Sequence, residues 1–265
     1  MTDRSLSIIL PVFNESKNLF VLIPQINQKF KNSKYNIQII IVDDDSNDDI
    51  EITLKKLNNL DLNSLTVLYY KRTRKRSLPL SIFHGIEISE FDNVMWLDAD
   101  GSMSANSIFD LTEKYFESSF DVVIGSRYVE GGGYKGIKKV GETNIFNAML
   151  NVNKSNDSIS GMLLSLLLNK ILVYLSGSEV KDITSGFIIT DKKYLKIADF
   201  ENCDYGEYFI KVIYSLQLQK LKIYEQGYLC ETRMYGESKT GTNLFKLIFR
   251  GIGYIKVALK YRIKI

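Results

Sequence analysis

The sequence predicts an α/β fold in which a mostly parallel central sheet is flanked by helices. Two observations carry this. Between residues 7 and 124, short β-branched apolar runs alternate with segments of helical length and period. The polar residues that interrupt the pattern cluster just after the apolar runs, where ligands sit in sheets with right-handed crossovers.

Residues 7–12 predict a first buried strand, and Asn14 or Ser16 can cap a helix over residues 17–30. Residues 38–42 form a second apolar run, closed by Asp43, Asp44 and Asp45, and residues 50–58 are helical. A strand over 65–70, a helix over 80–89, a strand over 93–97, a helix over 104–118 and a strand over 121–124 follow. From 131 to 160 the pattern gives way to Gly, Asn and Lys, which predicts a long loop of the kind that often forms a lid. An apolar helix over 162–175, a polar segment at 182–187, a helix over 206–218 and a polar loop at 233–242 complete the core of the pattern. Residues 1–240 therefore divide from a basic, amphipathic C-terminal helical segment at 241–265.

With 265 residues and 45% hydrophobic content the chain has enough apolar mass for a substantial core. A net charge of +3 is too small to argue for nucleic acid as a partner. Cys203 and Cys230 make no disulfide framework, which fits a reducing cytoplasm. The first seven residues lack the layout of a signal peptide. The longest apolar stretch, 162–175, is broken by Ser165, Asn169 and Lys170 and falls short of the roughly 20 residues a span needs. Contact with a membrane is expected at its surface.

Asp98 and Asp100 flank Ala99 at the end of a strand. Two carboxylates so placed suit a hard divalent cation that shares its coordination with substrate phosphates. The bland alternative is a solvated turn that caps the next helix. Asp43, Asp44 and Asp45 can hydrogen-bond a base or ribose, or simply cap a helix. Arg233 and Lys239, around Gly236, can grip a diphosphate or lie in a solvated loop. Arg127 ends a buried strand, unlike the usual surface arginine. His84, the single histidine, fits a packing role, and no Ser-His-Asp, zinc-ligand or Gly-Lys-Ser/Thr phosphate-loop pattern occurs.

Six segments taken in order resemble the family 2 glycosyltransferases: Pro11-Val-Phe-Asn-Glu15, Val42-Asp-Asp-Asp-Ser46, Leu97-Asp-Ala-Asp-Gly101, Gly125-Ser-Arg-Tyr128, Asp182-Ile-Thr-Ser-Gly-Phe187 and Arg233-Met-Tyr-Gly-Glu-Ser-Lys239. Within that family the chain looks like the dolichol-phosphate mannosyltransferase and polyprenyl-phosphate group. The resemblance implies the GT-A fold, with a Rossmann-like sheet. It further implies that Pro11, Phe13, Glu15, Val42 and Asp44 hold the nucleoside of a nucleotide-sugar donor. Asp98 and Asp100 would bind Mg²⁺ or Mn²⁺, with Ala99 close to the nucleotide. Arg127 would lie near the donor and acceptor phosphates, Arg233 and Lys239 would close over the diphosphate, and Asp182 to Phe187 would shape the sugar and acceptor side.

The chain departs from that group in three places. Ser102 stands where a Gln often follows the metal pair. Arg76-Ser-Leu-Pro-Leu80 replaces a Gly-rich stretch. Ser158-Ile-Ser-Gly-Met162 replaces an Arg-rich segment, leaving Lys138, Lys139 and Lys154 as candidate substitutes.

The resemblance implies an inverting transfer. A lipid-linked phosphate acceptor needs no general base. A saccharide hydroxyl, the alternative acceptor, would need one, with Asp182 or Glu207 the first candidates. On a helical wheel Lys246, Arg250, Lys256, Lys260 and Lys264 share one face, while Leu247, Ile248, Ile252, Ile255 and Leu259 share another. Such a helix can pack on the domain, or lie on anionic lipid and keep the protein peripheral on the cytoplasmic face of a membrane.

Overall fold

The computed structural model describes residues 4–134, 159–236 and 244–262. Strand β1 (Ser5–Val12) lies in the middle of the sheet and is buried along its whole length. It pairs in parallel with β2 (Asn36–Asp43) on one side and β4 (Asn93–Trp96) on the other. Such strands, covered on both faces, are apolar almost continuously. The two serines of β1 both find partners on β2: Ser7 donates to Gln38 Oε1 at 2.7 Å, and Ser5 Oγ accepts from Asn36 Nδ2 at 3.4 Å.

The full order is β3-β2-β1-β4-β7-β5-β8, where β3 is Leu65–Lys71, β5 Val122–Ser126, β7 Ile188–Asp191 and β8 Ile223–Gly227. Strand β7 runs antiparallel to both β4 and β5, so the sheet is mixed, and β8 extends it in parallel. Sequence patterning did not single out β7 or β8. Ile188–Asp191 is four residues long and buried on both faces, so it has no alternation to detect. Strand β8 sits at the sheet edge with polar, half-buried residues. A second, two-stranded sheet pairs β6 (Gly133–Tyr134), inside the segment expected to be loop, with β9 (Leu229–Cys230).

Alternation along the strands builds a core on each face. Leu6, Ile8, Leu10, Ile37, Ile39 and Ile41 pack with helices α1 (Ser16–Phe30), α2 (Ile50–Asn58) and α4 (Ala105–Phe116). Ile9, Ile40 and Val42 face α3 (Leu78–Glu87), α5 (Ile159–Ser176), α6 (Tyr208–Leu218) and α7 (Leu244–Lys260). Helix α3 begins two residues earlier than the pattern suggests. Ser77 accepts from Leu80 N, and Pro79 sits in the first turn, where no N–H is needed.

Helix α7 corrects the expected division of its faces. Gly251 and Ala258 are buried, with Tyr254 and Ile255 packed on the same core, while Ile252 and Leu259 are exposed beside Lys256 and Lys260. Gly251 faces α5, where a Cβ at this position would make an ordinary contact, 3.8 Å, with Leu168 Cδ1. Among the described residues no helix is long and apolar enough to cross a membrane.

Candidate active site

The parallel strands deliver their polar residues to one rim, as the alternation requires. Pro11 is opposite Val42 and Val12 opposite Asp43, so the loops after β1 and β2 emerge side by side. They are stitched together: Asn14 N donates to Ser46 Oγ at 2.9 Å, Asn47 N to Asn14 Oδ1 at 2.9 Å, and Ser16 N to Asp48 Oδ2 at 2.9 Å. The last bond gives α1 an N-terminal cap from a distant loop instead of from Asn14 or Ser16. Asn14 and Asp45 adopt left-handed backbone conformations, φ 57° and 63°, which Asn and Asp tolerate better than most residues.

Asp43 and Asp44 are both buried, and each has a structural partner. Asp43 accepts from Tyr69 OH at 2.8 Å and from Ser46 N at 2.9 Å. Asp44 accepts from the Arg72 guanidinium and, at 2.7 Å, from Ser77 N at the start of α3. Arg72 also donates to Ser81 Oγ at 2.8 Å. The Arg76 guanidinium lies 3.6 Å from the ring centre of Phe13, a cation–π stack at the mouth of the β1 loop. His84 stacks against Tyr70 at 4.1 Å, in keeping with a packing role.

At the end of β4 the side chains diverge. Ala99 is buried. Asp100 Oδ1 accepts from Ser102 N and Oδ2 from Arg233 Nη2, each at 2.9 Å. The same guanidinium gives Nη1 to Glu15 Oε1 at 2.9 Å. Arg233 thus bridges the loops after β1 and β4. Its backbone is positioned by Met234 N, which donates to Asp100 O at 3.2 Å, and by Met234 packing over Gly101. With φ +79°, and a Cβ that would lie 2.7 Å from Met234 Cε, position 101 requires glycine.

Asp98 accepts no hydrogen bond among the described residues. Its surface is open to water, although surrounding protein strips away part of its hydration. This desolvation, with Asp100 and then Glu15 adding like charge, pushes its pKa up to about 7 against the opposing pull of Arg233 and Arg127. A group so strained in its charged form has a reason to bind a cation. Two carboxylates and no third protein ligand fit Mg²⁺ or Mn²⁺, which complete their shells with phosphate oxygens and water. Among the described residues no group of three or more Asp, Glu, His or Cys could hold a metal unaided.

On the other side of the cleft, Arg127 Nε and Nη2 form a bidentate pair with Asp182 at 2.8 and 2.7 Å, and Arg127 N donates to Asp182 Oδ2 at 3.0 Å. Nη2 also reaches Thr184 Oγ1 at 3.0 Å. Asp182 is fully buried. Glu207 is held at both oxygens by Asp204 N and Tyr205 N, at 2.6 and 3.0 Å. Lys239, with Lys138, Lys139 and Lys154, lies outside the described residues.

Sequence reading missed Asn18 and Arg72, and it marked Arg76 and Ser77 only as the replacement of a Gly-rich stretch. Asn18 stands one helical turn after Glu15, and the run Lys71-Arg-Thr-Arg-Lys-Arg76 ends the third strand. Both signals were present, but only the fold shows what they meet.

An open mixed sheet in this strand order, with paired carboxylates on its rim, has the architecture of the GT-A fold. The structure superposes on glucosyl-3-phosphoglycerate synthase from Mycobacterium tuberculosis, in complex with Mn²⁺, UDP and glucosyl-3-phosphoglycerate, with a TM-score of 0.65 at 15% identity, covering 97% of this chain and 80% of that one. The profile of Glycosyl transferase family 2 matches residues 7–196, and the chain belongs to that family. It is 33% identical over 126 residues to the dolichol-phosphate mannosyltransferase of Pyrococcus furiosus, covering 48% of this chain and 34% of that protein. It is 31% identical over 135 residues to the poly(ribitol-phosphate) beta-N-acetylglucosaminyltransferase TarP of Staphylococcus aureus, covering 49% and 38%. The matched stretch therefore spans little more than a third of either relative.

Proposed function

We propose that the chain is an inverting, metal-dependent glycosyltransferase that moves a sugar from GDP-mannose or a UDP-sugar to a dolichyl or undecaprenyl phosphate. The acceptor phosphate oxygen forms the new bond to the anomeric carbon from the face opposite the leaving group. The bond to the nucleoside diphosphate breaks, and its electron pair stays on the diphosphate. Mg²⁺ or Mn²⁺ held by Asp98 and Asp100 would supply Lewis-acid stabilisation of that charge. Pro11, Phe13, Glu15, Val42, Asp44 and Ala99 would bound the nucleoside. Arg233 and Lys239 would serve the diphosphate. Arg127, oriented by Asp182, would face the phosphates.

The observation that carries the acceptor assignment is the state of the two candidate bases. Asp182 is saturated by Arg127, and Glu207 holds two backbone amides. Asp182 has no oxygen left to take a proton from an alcohol, and Glu207 spends both of its oxygens on backbone amides, whereas a phosphate acceptor arrives already ionised. The similarity to a dolichol-phosphate mannosyltransferase points the same way. The similarity to TarP favours a second reading, transfer to a saccharide or polyol hydroxyl in cell-surface glycan synthesis.

Access to a lipid acceptor has a physical basis in the surface of α5 and α7. Leu167, Ile171 and Tyr174, at helical spacing on α5, are 56%, 39% and 82% exposed. Ile252 and Leu259 on α7, at 42% and 53%, stand among Lys256 and Lys260. Apolar side chains rimmed by lysines suit an anionic membrane surface. In this reading residues 241–265 assist membrane contact while residues 1–240 carry catalysis, on the cytoplasmic face.

The test is a donor-hydrolysis screen of GDP- and UDP-sugars with Mn²⁺ or Mg²⁺, followed by competition between polyprenyl phosphate and saccharide acceptors for the donor found. Transfer to the lipid phosphate is expected. Transfer only to the saccharide would establish the second reading, and full activity in excess EDTA would refute metal dependence.

A further inference from the structure

Arg233 is bracketed by two carboxylates that belong to different loops. Its Nη2 is 2.9 Å from Asp100 Oδ2 and its Nη1 2.9 Å from Glu15 Oε1. The other oxygen of Asp100 is taken by Ser102 N at 2.9 Å. Both oxygens of the carboxylate assigned to the metal are thus already held by hydrogen-bond donors. A divalent ion at Oδ2 would stand directly beside the positive guanidinium and be repelled by it. Guanidinium and metal therefore compete for one oxygen.

The geometry points to Arg233 as an internal stand-in for the divalent cation: its guanidinium pairs with Asp100 at the oxygen a cation would use, and it gives up that place when metal and nucleoside diphosphate arrive together. This deepens the proposed function and rests on its metal reading. The backbone that carries Arg233 is pinned independently of the guanidinium. Asn18 Oδ1 accepts from Tyr235 N at 2.9 Å and Asn18 Nδ2 donates to Tyr235 O at 3.2 Å, while Met234 N holds Asp100 O. The exchange is accordingly a side-chain motion, and the loop need not open. Once released, the guanidinium is close to where the diphosphate's negative charge must lie if the metal bridges it. Losing Glu15 and Asp100 is then offset by gaining phosphate oxygens. The device also makes chemical sense. It keeps Glu15, Asp98 and Asp100 from repelling one another, and it disfavours metal bound without donor.

The consequence is positive coupling between metal and nucleotide, with part of that coupling located in Arg233. Mn²⁺ binding, followed by electron paramagnetic resonance on the full chain, reads this without any transfer reaction. Wild type should bind Mn²⁺ alone weakly and at least about tenfold more tightly with UDP or GDP, a coupling typical of linked sites. Arg233→Gln should bind Mn²⁺ alone roughly five- to tenfold more tightly than wild type and lose most of the nucleotide enhancement. Arg233→Lys separates exchange from simple charge. It keeps the positive charge but cannot bracket two carboxylates, so it too should bind Mn²⁺ alone more tightly than wild type. It also serves if the Gln variant fails to fold. Lys behaving like wild type, or equal Mn²⁺ affinity in all three proteins, would overturn the exchange and leave the metal reading standing. Absence of Mn²⁺ binding in every form, with and without UDP and GDP, would overturn the metal reading and the exchange with it.

Discussion

The side-chain amide of Asn18 and the backbone of Tyr235, 217 positions apart, hold each other in both directions: the amide oxygen accepts from Tyr235 N and the amide nitrogen donates to Tyr235 O. Asn18 also donates to Glu15 Oε2, so one buried residue joins the first helix, the β1 loop and the segment that carries Arg233. Asn18→Ala should cost roughly 1–3 kcal/mol of stability, the usual range for buried polar groups left unmatched. It should also raise the donor KM about tenfold, which corresponds to about 1.4 kcal/mol. Urea denaturation and donor titrations check the two effects. An unchanged KM would show that the segment needs no anchoring.

Arg127 and Asp182 form a buried, bidentate pair. Removing one partner strands the other charge, so Asp182→Ala should destabilise the fold by about 3–5 kcal/mol. Denaturant midpoints measure it. A loss under about 1 kcal/mol, in the range of surface pairs, would mean that water replaces the carboxylate freely.

Desolvation by the surrounding protein and the Asp100 charge push the pKa of Asp98 from 3.8 up to about 7. Between those values the folded protein holds a proton that the unfolded chain has lost. The group's contribution is therefore most favourable at low pH and is lost progressively as pH rises through about 7. In EDTA, stability should fall more between about pH 5 and pH 8 in wild type than in Asp98→Asn, and Mn²⁺ should restore it at the upper end. Parallel profiles for the two proteins would show that Asp98 ionises without penalty.

Leu167, Tyr174 and Leu259 are at least half exposed, so replacing all three with Ser should change stability by under about 0.5 kcal/mol per site. The same triple variant should lose co-sedimentation with anionic liposomes at low salt, as should a chain ending at Thr242. Undiminished sedimentation of the triple variant would remove this surface as the lipid contact.

The strands that pair in parallel near the middle of the fold were legible because their apolar runs are local: 7–12, 38–42, 65–70 and 93–97 each announce themselves by composition within a few residues. Their order along the chain, with the crossovers between them, also located the rim that carries Asp44, Asp98, Asp100 and Arg127. Strand β7 was not legible, because four residues buried on both faces have no period and its antiparallel insertion between β4 and β5 is a tertiary choice. Nor were the partners of the charged residues. Asp44 with Arg72, Arg127 with Asp182, and Arg233 with both Glu15 and Asp100 are pairings between segments distant in sequence. Likewise, nothing in the spacing of α7 said that Gly251 and Ala258 would be covered while Ile252 and Leu259 stayed in water. Sequence by itself determined where along the chain side chains of the kind suited to a diphosphate or a hard cation fall, since that depends on residue type and on place at strand ends. Only the tertiary structure decided which charges neutralise one another, because ion pairing depends on distances of a few ångströms set by packing, not by position along the chain.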